Sequence, residues 1–91
     1  MSAAIKFGSR LKELRIHLCQ KCAHSQGVRD FIQQHYVTLK SNNPKFPILI
    51  RECSGVEAKL WARHELGKET SIPLKDLNAS EVLAKIASVA K

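Results

Sequence analysis

The sequence predicts an α/β domain in which a four-stranded mixed sheet carries two helices on one face. Three observations carry that prediction. Apolar and polar residues alternate with period two in two stretches, apolar residues recur at helical spacing in two others, and turn-forming residues separate these segments. Their order along the chain is β-α-β-β-β-α.

Leu14, Ile16 and Leu18 alternate with Arg15 and His17, so the first strand covers Leu11 to Leu18 and has two unlike faces. Ser25 is an expected N-cap for the first helix, whose apolar stripe is Val28, Phe31, Ile32, Tyr36 and Leu39. Asn42, Asn43 and Pro44 end that pattern. The β-branched run Phe46 to Ile50, continued through Arg51 to Cys53, is short enough for a strand. Because it follows a helix, it is expected to lie parallel to the first strand in a right-handed βαβ unit. Leu60, Ala62, His64 and Leu66 alternate with Trp61, Arg63 and Glu65 in a third strand, and Gly67 and Lys68 turn it into a short fourth one, Glu69 to Leu74. Asn78 then caps a final helix with Glu81 three residues on, the capping-box spacing, and Val82, Leu83, Ile86, Val89 and Ala90 form its buried stripe.

At 91 residues the chain is expected to form one domain over residues 11–91, preceded by a basic segment, residues 1–10. No apolar run approaches the roughly 20 residues of a membrane span. The net charge of +7 is uneven, with five basic residues and one acidic residue before position 25. Such an end suits an acidic protein surface, an anionic lipid or a nucleic acid, and its lack of acid up to Lys12 is in keeping with mitochondrial import.

The element order is the core of a thioredoxin-like fold, a βαβ half followed by a ββα half. Full-length domains of that kind place another helix between the halves, and Ser54 to Ala58 is too short to form one. The sheet face opposite the helices is therefore expected to be uncovered. The segments LKELRIHLC (Leu11 to Cys19), SQGVRDFI (Ser25 to Ile32), FPILIREC (Phe46 to Cys53) and KLWARHELGKE (Lys59 to Glu69) resemble the alpha-subcomplex accessory subunit 2 family of mitochondrial NADH:ubiquinone oxidoreductase, respiratory complex I. The likeness covers nearly the whole chain beyond residue 10. It implies a thioredoxin-like accessory subunit with no active site and no redox cofactor of its own. It also implies a hetero-oligomeric place at the matrix side of the mitochondrial inner membrane, peripheral, on the core iron-sulfur subunits of the matrix arm. An RNA-associated mitochondrial ribosomal protein of the same fold is the alternative. Few aromatic residues and the absence of a basic C-terminal tail argue against a nucleic-acid partner.

Three cysteines leave several chemistries open. Cys19 and Cys53 end the first two strands, parallel neighbours run about 4.8 Å apart, and both residues have the parity of His17 and Arg51, so a redox-dependent Cys19 to Cys53 disulfide is expected. The resembling family has cysteines at both positions. Cys19 and Cys22 form instead the Cys-x-x-Cys of a thiol-disulfide oxidoreductase, but Ala58 stands where such enzymes place a cis-proline. Cys19, Cys22, His24 and Cys53 could form a zinc set, cramped by its Cys-x-His spacing, and three unbridged thiols are the simplest state. His17, His24, His35 and His64 show no triad spacing, and no glycine-rich phosphate loop occurs.

With Leu14, Ile16, Leu18, Ile48, Ile50, Leu60 and Ala62 turned to the helices, the uncovered face receives Arg15, His17, Leu49, Arg51, Trp61, Arg63 and Glu65. Trp and Arg are the residues most enriched at interface hot spots. Arg15, His17, Arg51, Trp61 and Arg63 are accordingly the expected partner-binding residues.

Overall fold

The computed structural model describes residues 5–90. Four strands, β1 (Leu11–Leu18), β2 (Ile48–Glu52), β3 (Lys59–His64) and β4 (Glu69–Pro73), form one mixed sheet in the order β2-β1-β3-β4. β1 runs parallel to β2 and antiparallel to β3, and β3 pairs antiparallel with β4. The α/β architecture expected from the sequence is thus the one observed. The connection between β1 and β2 is a helical rod built of α1 (Gln26–Phe31), a π-helical turn (Ile32–Tyr36) and α2 (Val37–Asn42); α3 (Ala79–Val89) closes the chain.

Both helical layers cover the same face. Leu14, Ile16, Leu18, Leu60 and Ala62 of the sheet form one buried cluster with Val28, Phe31 and Leu39 of the rod and with Val82, Leu83 and Ile86 of α3. Burial at about 25 cal/mol per Å² of apolar surface makes this cluster the main source of stability. Gly27 sets how closely the helices approach: a Cβ there would lie 1.6 Å from the Leu77 backbone oxygen, so only glycine lets α1 sit against the loop that leads into α3. Among the described residues no helix is long and apolar enough to cross a membrane.

The capping box of α3 forms as its spacing requires: Glu81 N donates to Asn78 Oδ1 at 2.8 Å and Asn78 N donates to Glu81 Oε1 at 3.0 Å. Three local expectations are corrected. Ser25 does not cap α1 with its side chain; its buried hydroxyl accepts from Cys19 N at 3.0 Å and joins the end of β1 to the start of the rod. β3 ends at His64, so Leu66 is no core residue. Leu66 (φ 62°) and Gly67 (φ 73°) occupy the two central positions of a tight turn of the type I′ kind, which leaves Leu66 91% exposed. The first helix is not uniform, because the π turn resets its stripe between Phe31 and Leu39, and Ile32 and Tyr36 are only half-buried.

Of the basic segment 1–10, residues 1–4 lie outside the described residues. Ile5 and Phe7 pack against the core, and the Phe7 ring lies 4.4 Å from that of Phe46. Asn43 holds this segment to the end of α2: its side chain donates to Ile5 O at 2.7 Å and accepts from Phe7 N at 3.1 Å.

Candidate functional site

The register of the sheet decides what meets on the face away from the helices. In the row through the middle of β1, Arg15 stands between Leu49 of β2 and Trp61 of β3. In the next row, His17 stands between Arg51 and Lys59. At the other end, Glu13 pairs with Arg63, and Arg63 with Glu69 of β4. The five expected partner-binding residues, Arg15, His17, Arg51, Trp61 and Arg63, are therefore brought together on the open face, all half-buried or exposed.

The charges are not distributed evenly along it. Arg15 Nη2 donates to Glu69 Oε1, Arg15 Nε lies 3.5 Å from Glu13 Oε1, and Arg63 Nη1 lies 3.9 Å from Glu13 Oε2. That end is neutralised by its own acids. Among the described residues no carboxylate lies within ion-pair distance of His17, Arg51 or Lys59. Burial, then the neighbouring Arg15, Arg51 and Lys59 charges, hold the His17 pKa below its ordinary 6.5. A hollow of about 410 Å³ opens beside this row, lined by Arg15, His17, Arg51, Cys53 and Val56.

The cysteines depart from the sequence expectation. Cys19 is bonded to Cys22, not to Cys53, and Cys53 is free and exposed. The reason is geometric: alternation fixes a side chain's direction only within the ladder, which ends at Leu18, and beyond it the chain turns Cys19 inward to complete burial. Cys19 Sγ accepts from Cys22 N at 3.2 Å and from Gly55 N at 3.3 Å. Arg29 holds the loop from the helix side, donating to Cys19 O at 2.7 Å and Cys22 O at 3.0 Å. Ala58 is buried immediately before β3. Among the described residues no three His, Cys, Asp or Glu side chains converge to hold a metal ion, so the set Cys19, Cys22, His24 and Cys53 is not assembled.

Sequence reasoning missed Lys59, Glu13 and Glu69 as members of the open face and Arg29 as the clamp on the cysteine loop. Lys59 has the same parity as Trp61 and Arg63 and could have been found by extending their alternation one step back. Arg29 carries no comparable signal, since its partners are backbone carbonyls across a loop.

Residues 28–79, more than half of the chain, match the family described as Mitochondrial ribosomal protein L51 / S25 / CI-B8 domain. NADH dehydrogenase (ubiquinone) 1 alpha subcomplex subunit 2 of Mus musculus is 54% identical over 87% of this chain and 80% of its own length. The Arabidopsis thaliana protein of that name is 46% identical over 89% of this chain and 84% of its own length. The NADH-ubiquinone oxidoreductase 10.5 kDa subunit of Neurospora crassa is 40% identical over 100% of this chain and 97% of its own length. With identity of 40% to 54% over 87% to 100% of its length, the chain belongs to the L51 / S25 / CI-B8 domain family and, within it, to the family of NADH dehydrogenase alpha subcomplex subunit 2.

Proposed function

We propose that this chain is a mitochondrial complex I subunit that works by binding, without an active site of its own. In this reading it docks on the core iron-sulfur subunits of the matrix arm, peripheral to the inner membrane on its matrix side, and supports assembly or stability of that arm. Relatives named as subunits of the NADH dehydrogenase support membership of the complex. The single observation that carries the docking role is the open sheet face, where Arg15, Arg51, Arg63 and Trp61 converge and, among the described residues, no helix covers them. A sheet normally buries an apolar face against another layer and leaves the other to water or to a partner. A half-buried tryptophan amid arginines has the composition of a hot spot.

The test is incorporation into the complex, followed by blue-native electrophoresis of mitochondria that express variant chains. Truncating a buried interfacial Trp or Arg costs about 2 kcal/mol or more, about thirtyfold in affinity. Arg63→Ala and Trp61→Ala are therefore expected to reduce incorporation, and Arg63→Ala to leave the isolated chain folded with a Tm within about 2 °C of the parent, as an exposed charge should. Normal incorporation of a normally folded Arg63→Ala chain excludes Arg63 from the interface, and the same result for Arg15→Ala and Arg51→Ala moves the interface off this face.

The thiol oxidoreductase reading has one observation in its favour, the Cys19–Cys22 disulfide. Cys19 is wholly buried, so only the half-buried Cys22 is open to attack by an incoming thiolate. Insulin reduction by the purified chain decides between the two: a trace rate is expected, and a rate comparable to a true thioredoxin overturns the non-catalytic reading.

A further inference from the structure

We propose that the cross-strand row Arg51, His17 and Lys59, together with the hollow beside it, is a carboxylate-binding site that takes acidic side chains of a partner protein. It deepens the docking reading and rests on it for the partner's existence, though not for the chemistry of the site.

Three basic side chains stand directly opposite one another across β2, β1 and β3. Like charges in cross-strand register are destabilising, and antiparallel neighbours elsewhere on this face avoid it: Glu13 meets Arg63, and Arg63 meets Glu69. The basic row has no such relief, since none of its members has a carboxylate within ion-pair distance among the described residues. The same crowding bears on His17, whose protonation is disfavoured first by burial and then by the Arg15, Arg51 and Lys59 charges. An arrangement that weakens the free fold is relieved when an anion is supplied from outside.

The shape of the site limits what that anion can be. The hollow of about 410 Å³ has room for one or two side chains, with His17 and Arg51 as donors and the Val56 side chain as an apolar wall. Arg51 can meet a carboxylate with two parallel N–H donors, and Lys59 adds a point charge on the far side of His17. An extended polyanion such as single-stranded RNA would have to run on across the face, where Arg15 and Arg63 are already paired with Glu13 and Glu69 and leave no uncompensated cation for its next phosphates. A short acidic segment that ends its negative charge at the hollow fits both halves: carboxylates on the basic row, and neutral or apolar residues over Leu49, Trp61 and the neutralised ion pairs.

The complete chain is titrated with a capped hexapeptide of Glu and Asp, with its Gln and Asn counterpart, with inorganic phosphate and with poly-uridylate, following the His17 imidazole resonances by NMR. The acidic peptide is expected to move the His17 signals and raise its pKa, because a bound carboxylate opposes the surrounding cations. Arg51→Gln and Lys59→Gln are each expected to weaken the peptide about threefold, and the double variant about tenfold, as for partly exposed charge pairs. No response to the acidic peptide, an undiminished response in Arg51→Gln, phosphate binding as tightly as the peptide, or poly-uridylate binding more tightly than it at equal salt each overturns the proposal. The two readings fail separately. If the peptide does not bind but Arg63→Ala is still excluded from the complex, the carboxylate site falls alone; if the peptide binds and Arg63→Ala, Arg15→Ala and Arg51→Ala all assemble normally, the docking reading falls and the carboxylate binding stands.

Discussion

The two faces of this sheet are made by the same strands, and neighbouring residues serve opposite ends. Leu60 is fully buried among the helices, whereas Trp61, the next residue, is half-buried on the face that no helix among the described residues covers. The covered face is apolar from Leu11 to Ala62 and carries the fold's stability. The open face spends its positions on Arg15, His17, Arg51, Lys59, Trp61 and Arg63, a set in which Arg15 and Arg63 are paired with acids while His17, Arg51 and Lys59 are not. A domain of this size buries only about 60 to 65% of its unfolded surface, so one face must supply nearly all of the stability for the other to be free for binding.

The largest test of that division is Leu60→Ala. It removes a wholly buried side chain at the centre of the cluster, and the cost is expected to be about 3 kcal/mol, within the range of about 2 to 5 seen for Leu to Ala in cores. Urea unfolding measures it directly. A loss comparable to that of an exposed-face substitution such as Arg63→Ala would mean that the helices do not seal this face.

Gly27→Ala probes how the seal is made. The added methyl meets the Leu77 backbone oxygen, which is not the end of a flexible side chain, so α1 or the loop before α3 must move. Overpacking of this kind is expected to cost about 1 to 3 kcal/mol. If the variant is as stable as the parent, the rod and α3 are not held at the distance described, and the covered face has more tolerance than the buried cluster suggests.

How far the two faces could be read beforehand follows from the range of each signal. Alternation is local, so Leu14, Ile16 and Leu18 against Arg15 and His17 gave the faces of β1 with no knowledge of its partners. The Asn78 to Glu81 box is equally local. Ser25 shares with Asn78 the residue type of an N-cap but has Val28 where Asn78 has Glu81, and its hydroxyl is claimed by Cys19 N across a loop, a partner that sequence spacing does not reveal. Parity points Cys19 towards the open face, but the ladder that justifies parity ends one residue earlier, at Leu18. The row Arg51, His17, Lys59 depends on how three strands register, and that information is not contained in any one of them. Leu66 reads as strand because alternation continues through it, while the positive φ of the turn takes it out of the sheet.

The smallest effect expected concerns the open face alone. Burial and the adjacent cations hold His17 below its ordinary pKa of 6.5, so near and below that pH the unfolded chain binds a proton that the folded chain resists. Stability then rises with pH wherever the unfolded state holds more protons. The contribution of neutral His17 is complete above about 6.5, and it is lost as pH falls from there towards the folded pKa. His17→Gln keeps a polar side chain in the row and cannot be protonated, so its Tm should fall less than that of the parent between pH 7.5 and pH 5. Solvent reaches this half-buried side chain and screens the repulsion, which limits the difference to about a degree. Thermal melts of both chains at matched ionic strength resolve it. Parallel decline of the two would show that Arg51 and Lys59 do not strain His17 in the free chain. The uncompensated row would then have no energetic signature before a carboxylate arrives, and the contrast between the two faces would reduce to burial alone.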